Sequence, residues 1–412
     1  MREQAEQAPP SQADQAPPSP ADQAPPRRVV LGLAVRLLDD FATGGYATSD
    51  PGIPVLASLV AQTPDPKATA SARRAVAAWA RTVGRGPSHD GLYDGGLAGT
   101  LVGLRMAARI HPPLHRAADR LRDHLLDRAS ARPWRTADVG LPDYDLIGGP
   151  SGTLLALCAG TRPPSRQLLA FADHLAALCD SDDLPRLHIG RYAGHPRLGW
   201  LQGRVNTGMG HGVAGLAAAL TATLRRTGPR PPLTEALHRV TRWLVRQSFD
   251  DARSVRSWDG TGLDGPPPAG ARARQAWCYG TPGVAWALWD ASDALGDRAT
   301  ADWAAAAFTT LAERYDEEFH LYGEPLTDRL ALCHGAAGVL AVADAFHRWA
   351  GLPAAAALAS RLTGHLTTRL PTALAPGRPA TALLDGAPGA LSALLTATHD
   401  TSRDWLPCLG LR

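Results

Sequence analysis

Lysine is almost missing from this chain of 412 residues: Lys67 is its only one, while arginine, alanine and proline abound. That bias reads as genome composition and carries no functional signal. An excess of charge of one sign is missing too. Lys and Arg number 42 against 39 Asp and Glu, giving a net charge of +3, and the arginines are scattered. This argues against a stripe that tracks nucleic acid. The cysteines are five, an odd number and widely spaced, which argues against a disulfide framework and for a reducing compartment. No run approaches the roughly 20 continuous apolar residues of a membrane span, and the polar N-terminus lacks the apolar core of a secretion signal. A soluble, cytoplasmic protein is expected. Alternating Val/Ile/Thr runs that would serve as strands are few.

What is present is helical. Residues 1–28 stand apart: Gln-Ala-Pro-Pro recurs at Gln7, Gln15 and Gln23 with Ser, Asp and Ala between, and no apolar face is available for burial. A disordered tail is expected there, and one domain over residues 29–412. Apolar residues at spacings of three and four predict helices over Val29–Asp40, Ala68–Thr82, Ala98–His111, Leu114–Arg128, Arg166–Cys179, Leu233–Gln247, Ala301–Asp316 and Ala354–Leu370.

The loops between these helices repeat. Gly-x-x-Gly occurs at Gly96–Gly99, Gly149–Gly152, Gly212–Gly215, Gly280–Gly283, Gly335–Gly338 and Gly386–Gly389, with first glycines separated by 53, 63, 68, 55 and 51 residues. One such pair means nothing, but six in series at the interval of a helical hairpin mark a repeat fold. Each pair precedes a short helix that is apolar nearly all round, as a buried helix should be. Glycine is expected there for positive φ and for close approach. The pattern predicts an all-α ring of hairpins whose inner helices start at one common end. Val29–Thr82 supplies a further hairpin, making about seven.

Chemistry gathers beside these glycines. Cys278 precedes Tyr279-Gly280, and Cys333-His334 precedes Gly335. In such a ring all loops face one end of a central funnel, so residues 55 positions apart converge. Two thiols and an imidazole are the donors of a zinc site with an open fourth position. Tyr93, Asp94, Asp145, His211 and Asp385 occupy equivalent loops. Cys158, Cys179 and Cys408 have no such context and read as core or surface residues.

Asn206-x-Gly208-x-x-His211-Gly212, Trp277-Cys278-Tyr279-Gly280-x-Pro282-Gly283 and Cys333-His334-Gly335 resemble the three signature motifs of the LanC family, the lanthipeptide cyclases. Tyr144-Asp145-Leu146-Ile147-x-Gly149-x-Ser151-Gly152 is similar to a fourth. The resemblance runs from about residue 30 to the C-terminus. It implies a double-layered α/α toroid with a catalytic Zn²⁺ at the funnel end of the inner ring, held by Cys278, Cys333 and His334. It also implies the reaction: a Cys thiol of a ribosomally made precursor peptide adds to dehydroalanine or dehydrobutyrine, forming a lanthionine or methyllanthionine thioether.

Only a thiolate is a good nucleophile, and a metal deprotonates a bound thiol. On the family's pattern, His211 acts as acid or base, Asp145 orients it, and Arg274 and Tyr279 stabilise the enolate oxygen. No dehydratase-like or kinase-like extension is recognisable, so a partner dehydratase is expected, within a complex that includes an exporter and is peripheral to the membrane. Two alternatives stand beside this reading: addition of glutathione or another small thiol to dehydrated residues, and a non-catalytic scaffold for a dehydratase or peptide. A glycosidase-type barrel would need paired carboxylates across the funnel, for which Asp145 and Asp385 are the only candidates.

Overall fold

The computed structural model describes residues 24–84, 89–131, 133–159, 165–265, 274–321, 325–374, 380–399 and 401–412. In chain order its helices are α1 (Ala24–Thr43), α2 (Gly52–Val60), α3 (Pro66–Thr82), α4 (Leu97–Ala108), α5 (His115–Ala131), α6 (Pro150–Cys158), α7 (Ser165–Leu178) and α8 (Val213–Thr227). They continue as α9 (Pro231–Arg246), α10 (Thr281–Leu295), α11 (Arg298–Arg314), α12 (Glu317–His320), α13 (Leu326–Leu330), α14 (Ala336–Ala350), α15 (Pro353–Ala373) and α16 (Ala387–Thr398). The strands are β1 (Phe249–Asp250) and β2 (Arg256–Ser257), paired antiparallel. The protein is all-α.

Of the expected tail, residues 1–23 lie outside the described residues. Helix α1 begins at Ala24, five residues before the start that periodicity predicts.

Two layers follow from two kinds of helix. Every residue of α2 is buried, as are nearly all of α4, α6 and α16. These, with α8, α10 and α14, form the inner ring, each packed on the next until α16 meets α2 and closes it. The outer helices bury one stripe only. In α9 it is Leu233, Ala236, Leu237, Val240 and Leu244, and in α15 Leu358, Leu362, Leu366 and Leu370. Spacings of three and four place each set on one helix face. Polar caps begin several outer helices: the Asp65 carboxylate accepts the Lys67 N–H at 2.8 Å, and Asp297 accepts that of Thr300 at 3.1 Å. None of the described helices is long and apolar enough to cross a membrane.

The second glycine of each pair explains the repeat. A Cβ at Gly152, Gly215, Gly283, Gly338 or Gly389 would strike the carbonyl oxygen six residues earlier, of Leu146, Met209, Trp277, Leu332 and Leu383 respectively. The inner helix thus starts with its first turn pressed on the loop that leads into it. The other expected reason, positive φ at the first glycine, holds for Gly280 alone (φ 82°). Gly96, Gly149, Gly212, Gly335 and Gly386 all have negative φ. Close approach, not handedness, selects glycine at these positions.

The hole of the ring is filled from one end by residues 405–412. Tyr93 Oη, Trp277 Nε1 and Trp286 Nε1 donate to the consecutive carbonyls of Cys408, Leu409 and Gly410 at 2.7, 2.9 and 2.9 Å. Leu406, Cys408, Leu409 and Leu411 are buried. Arg412 reaches Asp290 and Asp293 at 2.8 and 3.1 Å and lies 4.4 Å from the Trp349 ring centroid. The opposite end of the ring, where the inner helices start, is left to the loops.

Candidate metal centre

The loops at that end are joined edge to edge by backbone hydrogen bonds. Leu92 and Tyr93 N–H donate to Ile147 O at 3.0 and 3.2 Å, and Leu146 N–H donates to Gly210 O at 3.1 Å. Met209 N–H donates to Cys278 O at 2.9 Å, Cys278 N–H to Cys333 O at 3.3 Å, and Cys333 N–H to Leu384 O at 3.0 Å. The last junction uses a side chain. Asp50 Oδ1 accepts Leu383 N–H at 2.7 Å and Gly52 N–H at 2.8 Å. Asp50 is buried, and burial above all raises its carboxyl to about 6.

This chain of junctions makes the loops of His211, Cys278 and Cys333 successive neighbours. Close approach is again needed: a Cβ at Gly208 would come within 2.5 Å of Cys278 O and 2.8 Å of the Tyr279 ring. Below Cys278, Gln275 Oε1 accepts Thr281 N–H at 2.8 Å and Gln275 Nε2 donates to Ser257 Oγ at 2.7 Å, tying the loop to β2.

The donor atoms of Cys278, Cys333 and His334 all lie within 4.8 Å of one another. Cys333 Sγ is 3.7 Å from His334 Nε2. Both cysteines are buried, at 2 % and 8 % exposure, and His334 is half-buried. Burial raises the Cys278 thiol, but hydrogen bonds from Cys333 and His334 and the nearby imidazoles outweigh it and bring it down to about 5. The Cys333 thiol is pushed well up, first by its bond to the Cys278 sulfur and then by burial. Two thiolates in such close quarters repel one another. A divalent cation would resolve the conflict by letting both ionise, so the donor set fits one.

Beside this cluster, His211 Nδ1 lies 2.6 Å from Asp145 Oδ2. Asp145 is 3 % exposed and its other oxygen accepts Gly148 N–H at 2.9 Å. The His211 side chain is 35 % exposed. Burial lowers its pKa, but the hydrogen bond and charge of Asp145 and the charge of Cys278 more than offset that, and the net direction is up. Tyr279 is half-buried, and Asn206 Nδ2 contacts its hydroxyl at 3.0 Å. Burial, despite that bond, holds its hydroxyl well above the ordinary phenol range. Arg274 is half-buried just after residues that are not described; its carbonyl packs on Gly280.

The structure thus gathers Cys278, Cys333, His334, His211, Asp145 and Tyr279, with Arg274 linked to them through its main chain. Tyr93 is buried behind the loop, and Asp94 and Asp385 are exposed at the rim. Cys179 and Cys408 are buried and Cys158 is half-buried, none in this group. Two supporting residues escaped sequence reasoning as site residues. Asn206 stood in a motif, whereas His174, whose Nε2 lies 2.8 Å from Asp143 O beside Asp145, sits on α7 with no motif around it.

Residues 49–409 match the protein family described as "Lanthionine synthetase C-like protein". No curated protein matches the sequence. The fold is similar to a solved structure of "Nisin cyclase", a helical toroid, with a TM-score of 0.72 over 94% of this chain and 97% of that one, at 18% identity.

Proposed function

The chain belongs to the lanthionine synthetase C-like family, and from that premise we propose that it is a zinc-dependent lanthipeptide cyclase. Its substrate is a dehydrated, ribosomally made precursor peptide, and its product carries a lanthionine or methyllanthionine thioether. The observation that carries the reading is the convergence of the Cys278, Cys333 and His334 donors beside the His211–Asp145 pair.

Cys278, Cys333 and His334 would hold the zinc ion, which when bound lowers the pKa of a substrate thiol into the neutral range. The chain's own groups do the rest. The thiolate sulfur adds to Cβ of the dehydro residue, and the π electron pair moves onto the α-carbon and its carbonyl oxygen. Tyr279 keeps its proton and offers it to that oxygen, its position set by Asn206. Arg274 is assigned the same oxygen by its place four residues before Cys278. His211, protonated on the strength of Asp145, delivers a proton to the α-carbon. Asp145 holds the ring through Nδ1 and leaves Nε2 for the substrate. The product is an isomer of the substrate, so no other reactant is consumed. A dehydration reaction must supply the alkene, so a dehydratase precedes this enzyme.

The test is metal analysis and ring formation on one set of proteins. Purified protein is expected to contain about one zinc per chain and to convert a peptide bearing a dehydroalanine and a cysteine to its thioether. Cys278→Ala and Cys333→Ala should lose both. Full zinc in both variants would overturn the ligand assignment. Capture of added glutathione in place of the internal cysteine would reassign the enzyme to small-thiol addition.

A further inference from the structure

Trp200 is 48 % exposed, one of four large apolar side chains so exposed among the described residues. It stands on a short 3-10 turn, Gly199–Leu201, in the long connection from α7 to α8, on the same end of the ring as the metal centre. Its ring is held, not adrift. Trp200 Nε1 donates to Arg197 O at 3.1 Å, and His195 Nδ1 accepts Arg197 and Leu198 N–H at 3.2 and 3.0 Å, fixing the turn. Ile189 and Gln202 bridge to one another at the base of the connection. Gly260, from the neighbouring long connection, lies against the six-membered ring: a Cβ there would come 3.1 Å from Cη2. Trp200 also lies 6.4 Å, centroid to centroid, from Tyr279. Since Tyr279 adjoins Cys278, the exposed indole continues the wall of the candidate active site outward.

An exposed, rigidly mounted indole with its N–H already satisfied offers a flat apolar face. The substrate class proposed above supplies a match. A dehydroalanine or dehydrobutyrine has a trigonal α-carbon conjugated with its carbonyl, so the residue is flat where ordinary residues are tetrahedral. We infer that Trp200, whose ring plane is tilted 60° from that of its neighbour Tyr279, is the platform on which the dehydro residue of the substrate peptide stacks before the thiol reaches it. This rests on the cyclase reading. The task of Trp200 is substrate positioning and selection.

Two short synthetic peptides, identical except for dehydroalanine or alanine at one position and with serine replacing cysteine, report binding without turnover. Wild type should bind the dehydro peptide more tightly by about 3- to 10-fold, the size of an aromatic stacking preference. Trp200→Ala should erase that difference and Trp200→Phe should keep part of it. With cysteine restored, Trp200→Ala should raise KM by a similar factor while kcat and zinc content hold. If Trp200→Ala distinguishes the two peptides as wild type does while wild type still forms the thioether, the platform is wrong and the cyclase reading stands. If wild type neither prefers the dehydro peptide nor cyclises its cysteine-bearing form, both fall.

Discussion

Trp277 Nε1 donates to the carbonyl of Leu409 at 2.9 Å, across 132 positions of sequence. Trp277 is fully buried and immediately precedes Cys278. The segment that fills the hole of the ring is therefore bonded to the back of the loop that presents Cys278 to the candidate metal centre. Tyr93, from the loop before α4, and Trp286, on α10 itself, grip the adjoining carbonyls of the same segment.

That contact predicts the behaviour of Trp277→Phe. The substitution keeps a ring in the core but leaves the Leu409 carbonyl without its donor in a dry interior. The expected loss is about 1–3 kcal/mol of stability, read by chemical denaturation. Zinc affinity, measured by chelator competition, should fall as well, because the loop behind Cys278 is released. Unchanged affinity in a destabilised protein would confine the contact to folding.

His211 and Asp145 give the pH dependence its sign. The fold raises the His211 pKa, so the stabilisation from its protonated form is present below the ordinary value near 6.5 and disappears as pH climbs through the folded value. On the proposed mechanism cyclisation uses the same protonated form and should fade over the same alkaline window. Asp145→Asn keeps a hydrogen-bond acceptor but removes the charge, so the alkaline limb of the pH–rate profile should move down by about one unit. His211→Ala should cost about 10²- to 10⁴-fold in kcat with zinc retained. An unmoved limb in Asp145→Asn would free the aspartate from that role.

Much of this is legible in the sequence alone, for a physical reason. The Gly-x-x-Gly pairs record a steric demand that only one residue type meets, as the carbonyls facing Gly283 and Gly338 show. Cys278, Cys333 and His334 likewise form a donor set that few other residue types could supply. What stayed hidden were contacts in which one partner is a main-chain carbonyl, since any residue supplies one. Trp277 on Leu409, Tyr93 on Cys408 and His174 beside Asp143 are of this kind. The inner helix α2 was hidden for another reason. Its loop reads Ser49-Asp50-Pro51-Gly52, without the glycine pair, and an aspartate performs the junction that a backbone carbonyl performs elsewhere.

Two glycines that composition treats alike should respond oppositely to substitution by alanine. Gly283→Ala would drive a Cβ into the Trp277 carbonyl and to 2.8 Å from Met209 Cβ. It should destabilise by about 1–3 kcal/mol and disturb the Cys278 loop. Gly364, exposed in the middle of α15, has nothing within 4 Å of a built Cβ. Gly364→Ala should stabilise by roughly 1 kcal/mol through helix propensity alone. Thermal unfolding of the pair checks both signs.

Asp50 closes the ring, and its removal is the sharpest test of closure. Asp50→Ala leaves the Gly52 and Leu383 N–H groups buried without an acceptor, a loss of about 2–4 kcal/mol for the two. Asp50→Asn keeps Oδ1 for both donors and no longer buries a charge, so it should be far milder. The pH course distinguishes the charge from the hydrogen bonds. The Asp50 carboxyl is raised to about 6 from 3.8, chiefly by burial, so its ionised form is the disfavoured one in the fold. Its penalty is absent below pH 3.8, grows as pH rises, and is complete above about 6. Between those limits the gap between Asp50→Asn and wild type should shift in favour of the asparagine as pH increases. Equal pH courses would place the cost of this junction in geometry and not in charge.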